Sequence, residues 1–406
     1  MSFRIATANQ FDRTVFQLGV RQSELATQQE RLATGKRVMK ASDDPVAATL
    51  AEASRNRASR LEADLRALQA SRTSLQQAES GLAESSDLMI KVRELMVSAG
   101  NGSYTDSERA DIARQLEGLR EQLLAVANRT DSNGRTLYGG LGGASVPFVD
   151  LYGPSGSGVT FQGLRGQPAP GDTSLPQTLD GEAIWMKVPA GNGSFTLTVP
   201  NNNGGNVSTS AGEVIDATLT TGNDYRIDFS VVAGTTQYTL TNVTTGTPVA
   251  GHVGVPYQNG GTIQFDGVSI TLNGAPANGD RVDMTANTGP TDVFTVVQNA
   301  IDALRFDGPG EAGYRQQELA RAMTEIDNAH DRVLLARGRV GEWLNRADAQ
   351  EQLMSDRQVD LEVEQSNLTD LDMVKGISDF QKQQTALEAA IKSYAQVQRL
   401  SLFNQI

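Results

Sequence analysis

Two hydrophobic rhythms divide the chain. Near the start, Phe11, Val15, Leu18, Gln22, Leu25, Gln29 and Leu32 step by 4 and 3 without a slip, and Leu61, Leu65, Leu68, Leu75, Leu82 and Met89 continue by 4, 3 and then 7. A longer row runs from Leu319 through Met323, Ile326, His330, Val333, Arg337, Val340, Leu344, Ala347 and Met354 to Leu361 and Leu368. A last one joins Met373, Ile377, Phe380, Gln384, Leu387, Ile391 and Tyr394. A sustained repeat of about 3.5 residues is the seam of a coiled coil; a single helix with one buried face follows it less strictly. The pattern predicts long antiparallel helices near 45–99 and 311–366. In the middle the period falls to two. "GSFTLTV" (193–199), "DYRIDFSVV" (224–232), "TQYTLTNV" (236–243) and "TIQFDGVSITLNG" (262–274) cluster β-branched and aromatic residues between Gly, Asn, Asp and Pro, which is the signature of strands. "FDG" and "LNG" read as tight hairpin turns.

Composition sharpens the division. Residues 1–138 and 291–406 use the helix-forming alphabet of Ala, Leu, Gln, Glu and Arg, whereas 139–290 holds most of the chain's 40 glycines. Arg165, Lys187, Arg226 and Arg281 are the only lysines and arginines between 141 and 290. The expected fold class is α+β: a long coiled-coil-like helical bundle formed by both chain ends, with an inserted antiparallel β-rich domain, either a sandwich or a barrel. The domains expected are an N-terminal helical arm (1–138), a β-rich outer domain (139–290) and a C-terminal arm (291–406) that pairs with the first.

Charge narrows the function. The formal net charge is −13, with 48 acids against 35 bases, which argues against nucleic-acid binding because phosphate contacts need a basic face. No apolar run reaches the roughly 18 residues of a membrane span, so membrane insertion is not expected. The N-terminal residues lack the apolar core of a cleaved signal; a cytosolic protein, or one exported by another route, fits. The chain has no cysteine and two histidines, His252 and His330, far apart in sequence. Disulfides and thiol chemistry are excluded and a histidine metal site is not supported. "GGLGGASVPF" and "GPSGSG" lack the Gly-Lys-Ser/Thr ending of a phosphate loop. No cofactor, metal or catalytic residue is expected.

The one constellation that resembles a catalytic pair is Asp43-Asp44 in "ASDDPVAATLAEA". Asp44 before Pro45 is a helix start: Asp is a favoured N-cap and Pro is favoured at the first helical position. Gly35 upstream is a natural stop for the preceding helix. The pair therefore reads as punctuation in a helix–loop–helix. Thr105 and Glu108 have the spacing of a capping box at a further helix start.

Four segments, "RLATGKRVMKASDDPVAA" (31–48), "NRTDSNGRTLYGG" (128–140), "ARGRVGEWLNRAD" (336–348) and "QQTALEAAIKSYAQVQRLSLFNQI" (383–406), resemble the bacterial flagellin superfamily. The turn Ala33-Thr34-Gly35, the start Asp43-Asp44-Pro45 and the terminal "SLF" match the junction form of that superfamily; filament subunits carry Ser-Ser-Gly and Asp-Asp-Ala-Ala-Gly at the first two positions. The resemblance covers both arms and "FDGVSITLNGAPANGDRVDM" (265–284). It implies a non-enzymatic structural part of the bacterial flagellum, secreted through type III export and placed at the hook–filament junction. The implied partners are a ring of copies of itself, hook-associated protein 1, flagellin and an export chaperone; a minor flagellin, a filament subunit, is the alternative. Each terminal seam lies on a single helix, which cannot bury its own apolar face. The expected assembly interface is therefore Phe11, Val15, Leu18, Leu25 and Leu32 with Met373, Ile377, Phe380, Leu387, Ile391 and Tyr394.

Overall fold

A computed structural model describes residues 6–142, 144–151, 158–167, 175–287 and 289–403. It holds six α-helices and twelve strands among the described residues. The helices are α1 (Ala6–Thr34), α2 (Pro45–Ala99), α3 (Asp106–Ala127), α4 (Val293–Arg305), α5 (Glu311–Thr369) and α6 (Met373–Phe403). Two compact units emerge: one combines residues up to 66 with those from 349 onward, and the other comprises 67–348. Both α2 and α5 supply residues to each unit, so the boundaries fall inside helices, where the change of alphabet near 139 and 290 gives no sign of them.

The seams expected on α2 and α5 are the ones the fold uses. Leu61, Leu68, Leu75, Leu82 and Met89 are buried, as are Leu319, Ile326, Val333, Val340, Ala347 and Met354. The polar members fit too. His330 meets Ser86, Nε2 to Oγ, at 2.7 Å, and Arg337 pairs with Glu79 at 2.9 Å. Arg93–Asp327 at 2.8 Å continues the antiparallel register within the second unit. Each buried Leu contributes about 1.5–3 kcal/mol relative to exposure.

The described residues between 137 and 188 pack against helices rather than joining the large sheets. Phe148–Asp150 (β1) and Val159–Phe161 (β2) form a short hairpin, and Glu182–Met186 makes a single turn of π-helix. The scarce aromatics gather here. The Trp185 ring stands edge-on to Tyr138 at 4.6 Å and to Phe148 at 5.5 Å, with Phe294 of α4 at 6.0 Å from Phe148. Tyr138 donates to the Ala78 carbonyl of α2 at 2.7 Å. A Cβ on Gly81 would lie 2.3 Å from that hydroxyl, which explains a glycine in mid-helix.

The remaining strands are β3 (Phe195–Thr198), β4 (Ser208–Thr209), β5 (Glu213–Val214), β6 (Tyr225–Val232), β7 (Thr235–Asn242), β8 (Thr247–Pro248), β9 (Val255–Pro256), β10 (Gly261–Phe265), β11 (Val268–Asn273) and β12 (Arg281–Ala286). One antiparallel sheet runs β3-β12-β6-β7-β8, with β9 also on β7; the other pairs β10 with β11, and β11 with β4 and β5. Both sheets bury residues in one core, including Phe195, Leu197, Ile227, Leu240, Ile270 and Val282. Of the two expected architectures the sandwich is the one formed. Val188 and Thr291 exchange two backbone hydrogen bonds, at 2.8 and 2.9 Å, where the chain enters and leaves it.

Of the two hairpin turns expected, one forms. Asp266 and Gly267 both have positive φ (41° and 75°) and join β10 to β11. "LNG" is not a hairpin, because β11 and β12 lie in different sheets. Gly274 instead lets the chain pass the Asn206 carbonyl, where a Cβ would come within 1.9 Å. The longest hairpin, β6–β7, turns on Ala233 and Gly234, with φ of 50° and 81°.

A row of α5 side chains seats the sandwich. Gln317 accepts from the Thr209 N–H at 2.7 Å and donates to Leu197 O at 3.0 Å. Glu325 accepts from Gly191 N–H at 2.8 Å. Asn328 donates to the carbonyls of Pro189 and Gly191, both at 3.1 Å, while Arg332 holds the π-turn instead, donating to Ala183 O at 2.8 Å.

Candidate assembly site at the chain ends

The first unit joins two helix–loop–helix corners. Gly35, with φ +69°, ends α1, and Asp44 accepts from Ala47 N–H at 3.0 Å to start α2 at Pro45. At the other corner Asp372 accepts from Lys375 N–H at 3.1 Å to start α6. The corners are tied directly. Thr369 O accepts from the N–H groups of Arg37 and Val38 at 2.7 and 3.3 Å, and Gly35 O accepts from Leu371 N–H at 2.8 Å. Arg37 reaches both ways, to Leu368 O at 2.8 Å and to Asp44 at 3.1 Å.

The two adjacent aspartates have separate tasks. The Asp43 carboxylate turns back and accepts from Met39 and Lys40 N–H at 3.1 and 3.0 Å, closing the loop rather than capping α2. Those two backbone donors hold Asp43 below the usual carboxylate range; Ala47 N–H and then Arg37 do the same for Asp44. A catalytic dyad needs one member raised, and here both are lowered. Thr105 and Glu108 sit elsewhere, at the start of α3, where each bonds the other's backbone N–H, at 3.4 and 2.7 Å.

The helices α1 and α6 pair along their length, but on a register only half of which sequence suggests. The inward row of α6 is Gly376, Phe380, Gln383, Leu387, Ala390 and Tyr394. Phe380, Leu387 and Tyr394 lie where expected; Gly376, Gln383 and Ala390, each one position earlier, replace Ile377, Gln384 and Ile391. Small side chains let the helices approach: a Cβ on Gly376 would lie 3.1 Å from Leu32 and 2.8 Å from Leu371. On α1, Leu18, Leu25 and Leu32 are half-buried in the seam, and Gln28 takes the place expected for Gln29, donating to Gly376 O at 3.3 Å.

The displaced apolar residues are left at the surface. Val15, Met373, Ile377 and Ile391 are exposed in the chain alone, Ile391 by 51%. The side chain of Phe11 lies outside the described residues. Sequence reading passed over Phe16, 72% exposed, and Val374, 82% exposed, because neither falls on a seam. Val20, one turn beyond Phe16, and Val46, Leu50, Leu353, Val359 and Val363 add to the apolar surface of this unit. Pairs four apart such as Phe16/Val20, Val46/Leu50 and Val359/Val363, off the seam, were the available signal. Among the described residues no group of three or more His, Asp or Glu could hold a metal ion, and no helix is long and apolar enough to cross a membrane.

Two paired terminal helices with an inserted β-rich domain define the class of fold, and apolar side chains stand exposed on the unit that holds both chain ends. The chain belongs to the bacterial flagellin superfamily: residues 7–142 match the bacterial flagellin N-terminal helical region and 323–405 the C-terminal helical region. Residues 199–286 match the D2-like domain of flagellar hook-associated protein 1. Within that superfamily it is similar to flagellar hook-associated protein 3 of Salmonella typhimurium, 27% identical with 98% of each chain covered. The crystal structure of FlgL from Xanthomonas campestris matches 78% of this chain and 99% of its own, with 28% identity and a TM-score of 0.66. Flagellin D of Vibrio cholerae is 23% identical over 77% of this chain and 82% of its own length.

Proposed function

We infer that this chain is a structural subunit of the junction between the flagellar hook and the filament. The observation that carries the reading is the end-to-end likeness to a hook-associated protein 3, which includes the β-rich middle as well as both helical arms. A filament subunit is the weaker reading: flagellins that match most of the chain do so at 22% and 23% identity, against 27% for the hook-associated protein 3.

On this reading the subunit leaves the cell through type III export and forms a ring of copies between hook-associated protein 1 and the first flagellins. Exposed Val15, Phe16, Ile377 and Ile391 supply its assembly surface. Leaving an apolar side chain in water forfeits about 1.5–3 kcal/mol relative to burial, and neighbouring subunits recover it. An export chaperone covers the same surface on α6 beforehand. The arms 1–138 and 291–406 then build the ring, and 139–290 faces outward.

Deleting the gene in the source bacterium tests this. Cells should keep their hooks, lose filaments and release flagellin into the medium. The full chain should restore swimming, and a chain lacking residues 374–406 should not. Filaments built with the truncated chain would sink the assembly role of α6, and filaments built without the gene would sink the junction reading.

A further inference from the structure

In the first unit, α2 and α5 flank a cleft of ≈ 380 Å³ lined by Arg57, Arg60, Leu61, Asp64, Arg357 and Leu361. Leu61 is buried and Leu361 half-buried at its floor, while the three arginines are exposed on its walls. Most arginines of this acidic chain are neutralised. Arg37, Arg72, Arg93, Arg120, Arg129 and Arg337 each rest on a carboxylate. Among the described residues Arg57, Arg60 and Arg357 have no such partner, although Asp64 shares the cleft and Asp360 lies one turn from Arg357.

Three guanidiniums without a direct ion pair, facing one carboxylate in the cleft, leave it an excess of positive charge in a chain of net charge −13, and a fold gains nothing intrinsically by gathering them. Arginine is the side chain best suited to gripping carboxylates two bonds at a time. Its aliphatic stem, beside Leu61 and Leu361, also offers an apolar surface to the stem of a glutamate. The six lining residues span just over two turns of α2 and one turn of α5, so the surface they make is an elongated one along two helices. It therefore matches a helix bearing carboxylates at i and i+4 better than it matches a small rounded anion.

We propose that this cleft docks an acidic helical face of a neighbouring flagellar subunit, so that the joint is held by charge as well as by the apolar surface of α1 and α6. The proposal rests on the junction reading for the identity of the neighbour, but the cleft's chemistry does not depend on it.

Two arms test it. In the first, a fluorescein-labelled helical peptide with Glu at i and i+4 along one face is titrated with the full chain and followed by anisotropy. Binding should weaken as salt rises, and Arg57→Glu/Arg60→Glu/Arg357→Glu should lose at least about tenfold in affinity. The Lys triple variant, which keeps charge and loses the bidentate fork, should fall between. Circular dichroism and melting of each variant check that the fold is retained, which exposed positions favour. Equal peptide binding by the Glu variant overturns the proposal, and so does displacement of the peptide by inorganic phosphate at similar concentration, which would mark a small-anion site. In the second arm, the Glu variant should be exported yet fail to restore swimming to the deletion strain. If deletion abolishes filaments and the variant restores swimming fully, the cleft proposal fails and the junction reading stands. If filaments persist without the gene, the junction reading fails and the cleft stands on its peptide binding.

Discussion

Among the described residues, Ala233 and Asp266 are the only non-glycines with positive φ. An alanine in the left-handed region meets its own carbonyl, and Asn or Gly tolerates that turn better. Replacing Ala233 with Asn should therefore stabilise the sandwich by about 1 kcal/mol, read as a higher denaturation midpoint; a lower one would contradict the turn geometry. Charge acts in the opposite sense at Glu325 and Glu318, which lie buried on α5, where desolvation pushes both above the usual carboxylate value. An acid raised by folding binds its proton more tightly in the native state. Its contribution is thus complete below the unfolded pKa and is lost as pH climbs through the folded one. Glu325→Gln keeps an acceptor for Gly191 and should raise the melting temperature at neutral pH while leaving it unchanged near pH 4. Asp43 and Asp44 carry lowered values and run the other way, favouring the fold at neutral pH and weakening it in acid. Their separate bonding predicts separate effects: Asp44→Ala should lower the melting temperature by a few degrees through the lost cap. Asp43→Asn, which keeps an acceptor for the loop, should change it less. Equal losses would mean that the corner acts as one unit.

At the scale of elements, long helices were legible because a residue buried every third or fourth position over many turns leaves little choice of structure. Every seam position from Leu319 to Leu368 on α5 is buried or half-buried. Short strands were less so. The pairs β4 and β5, two residues each, exist only because β11 offers them an edge. The hydrogen bonds from α5 to the sandwich were not legible, since a Gln or Asn on a helix face does not disclose a carbonyl more than a hundred residues away. They make a test. Gln317→Ala with Asn328→Ala leaves buried backbone groups without partners, at a cost of about 1–3 kcal/mol each. Amide exchange should then quicken at Thr209, whose N–H loses its Gln317 acceptor, while Gly191, whose N–H Glu325 still holds, and Ile227 and Leu240 stay protected. Unchanged exchange at Thr209 would show that packing alone holds the seat.

For the whole molecule, the turn to Gly, Thr and Asn near 139 comes about a dozen residues after the last helix of the N-terminal arm, which ends at Ala127, and does not show which later residues form the sandwich. Val188 and Thr291 close it with a pair of hydrogen bonds, while the residues just before Val188 join the aromatic cluster of Tyr138, Phe148 and Trp185 under the helices. Limited proteolysis should consequently leave a resistant fragment near 188–291. Early cuts scattered between Phe195 and Ala286 would mean that the two sheets do not form a unit of their own.

Sequence by itself determined the helices and their caps, the antiparallel character of the middle, and the absence of thiol chemistry. All of these follow from local propensity and from periods that repeat many times. Tertiary structure decided what those rules leave degenerate. A turn signal such as Asn273-Gly274 does not say whether the chain folds back or crosses to another sheet; the partner strands do. An apolar residue at position 377 or 391 looks like core, yet the close approach of α1 and α6 selects Gly376 and Ala390 instead. Helix backbones meet where side chains are small, and the displaced isoleucines remain outside for another surface to cover.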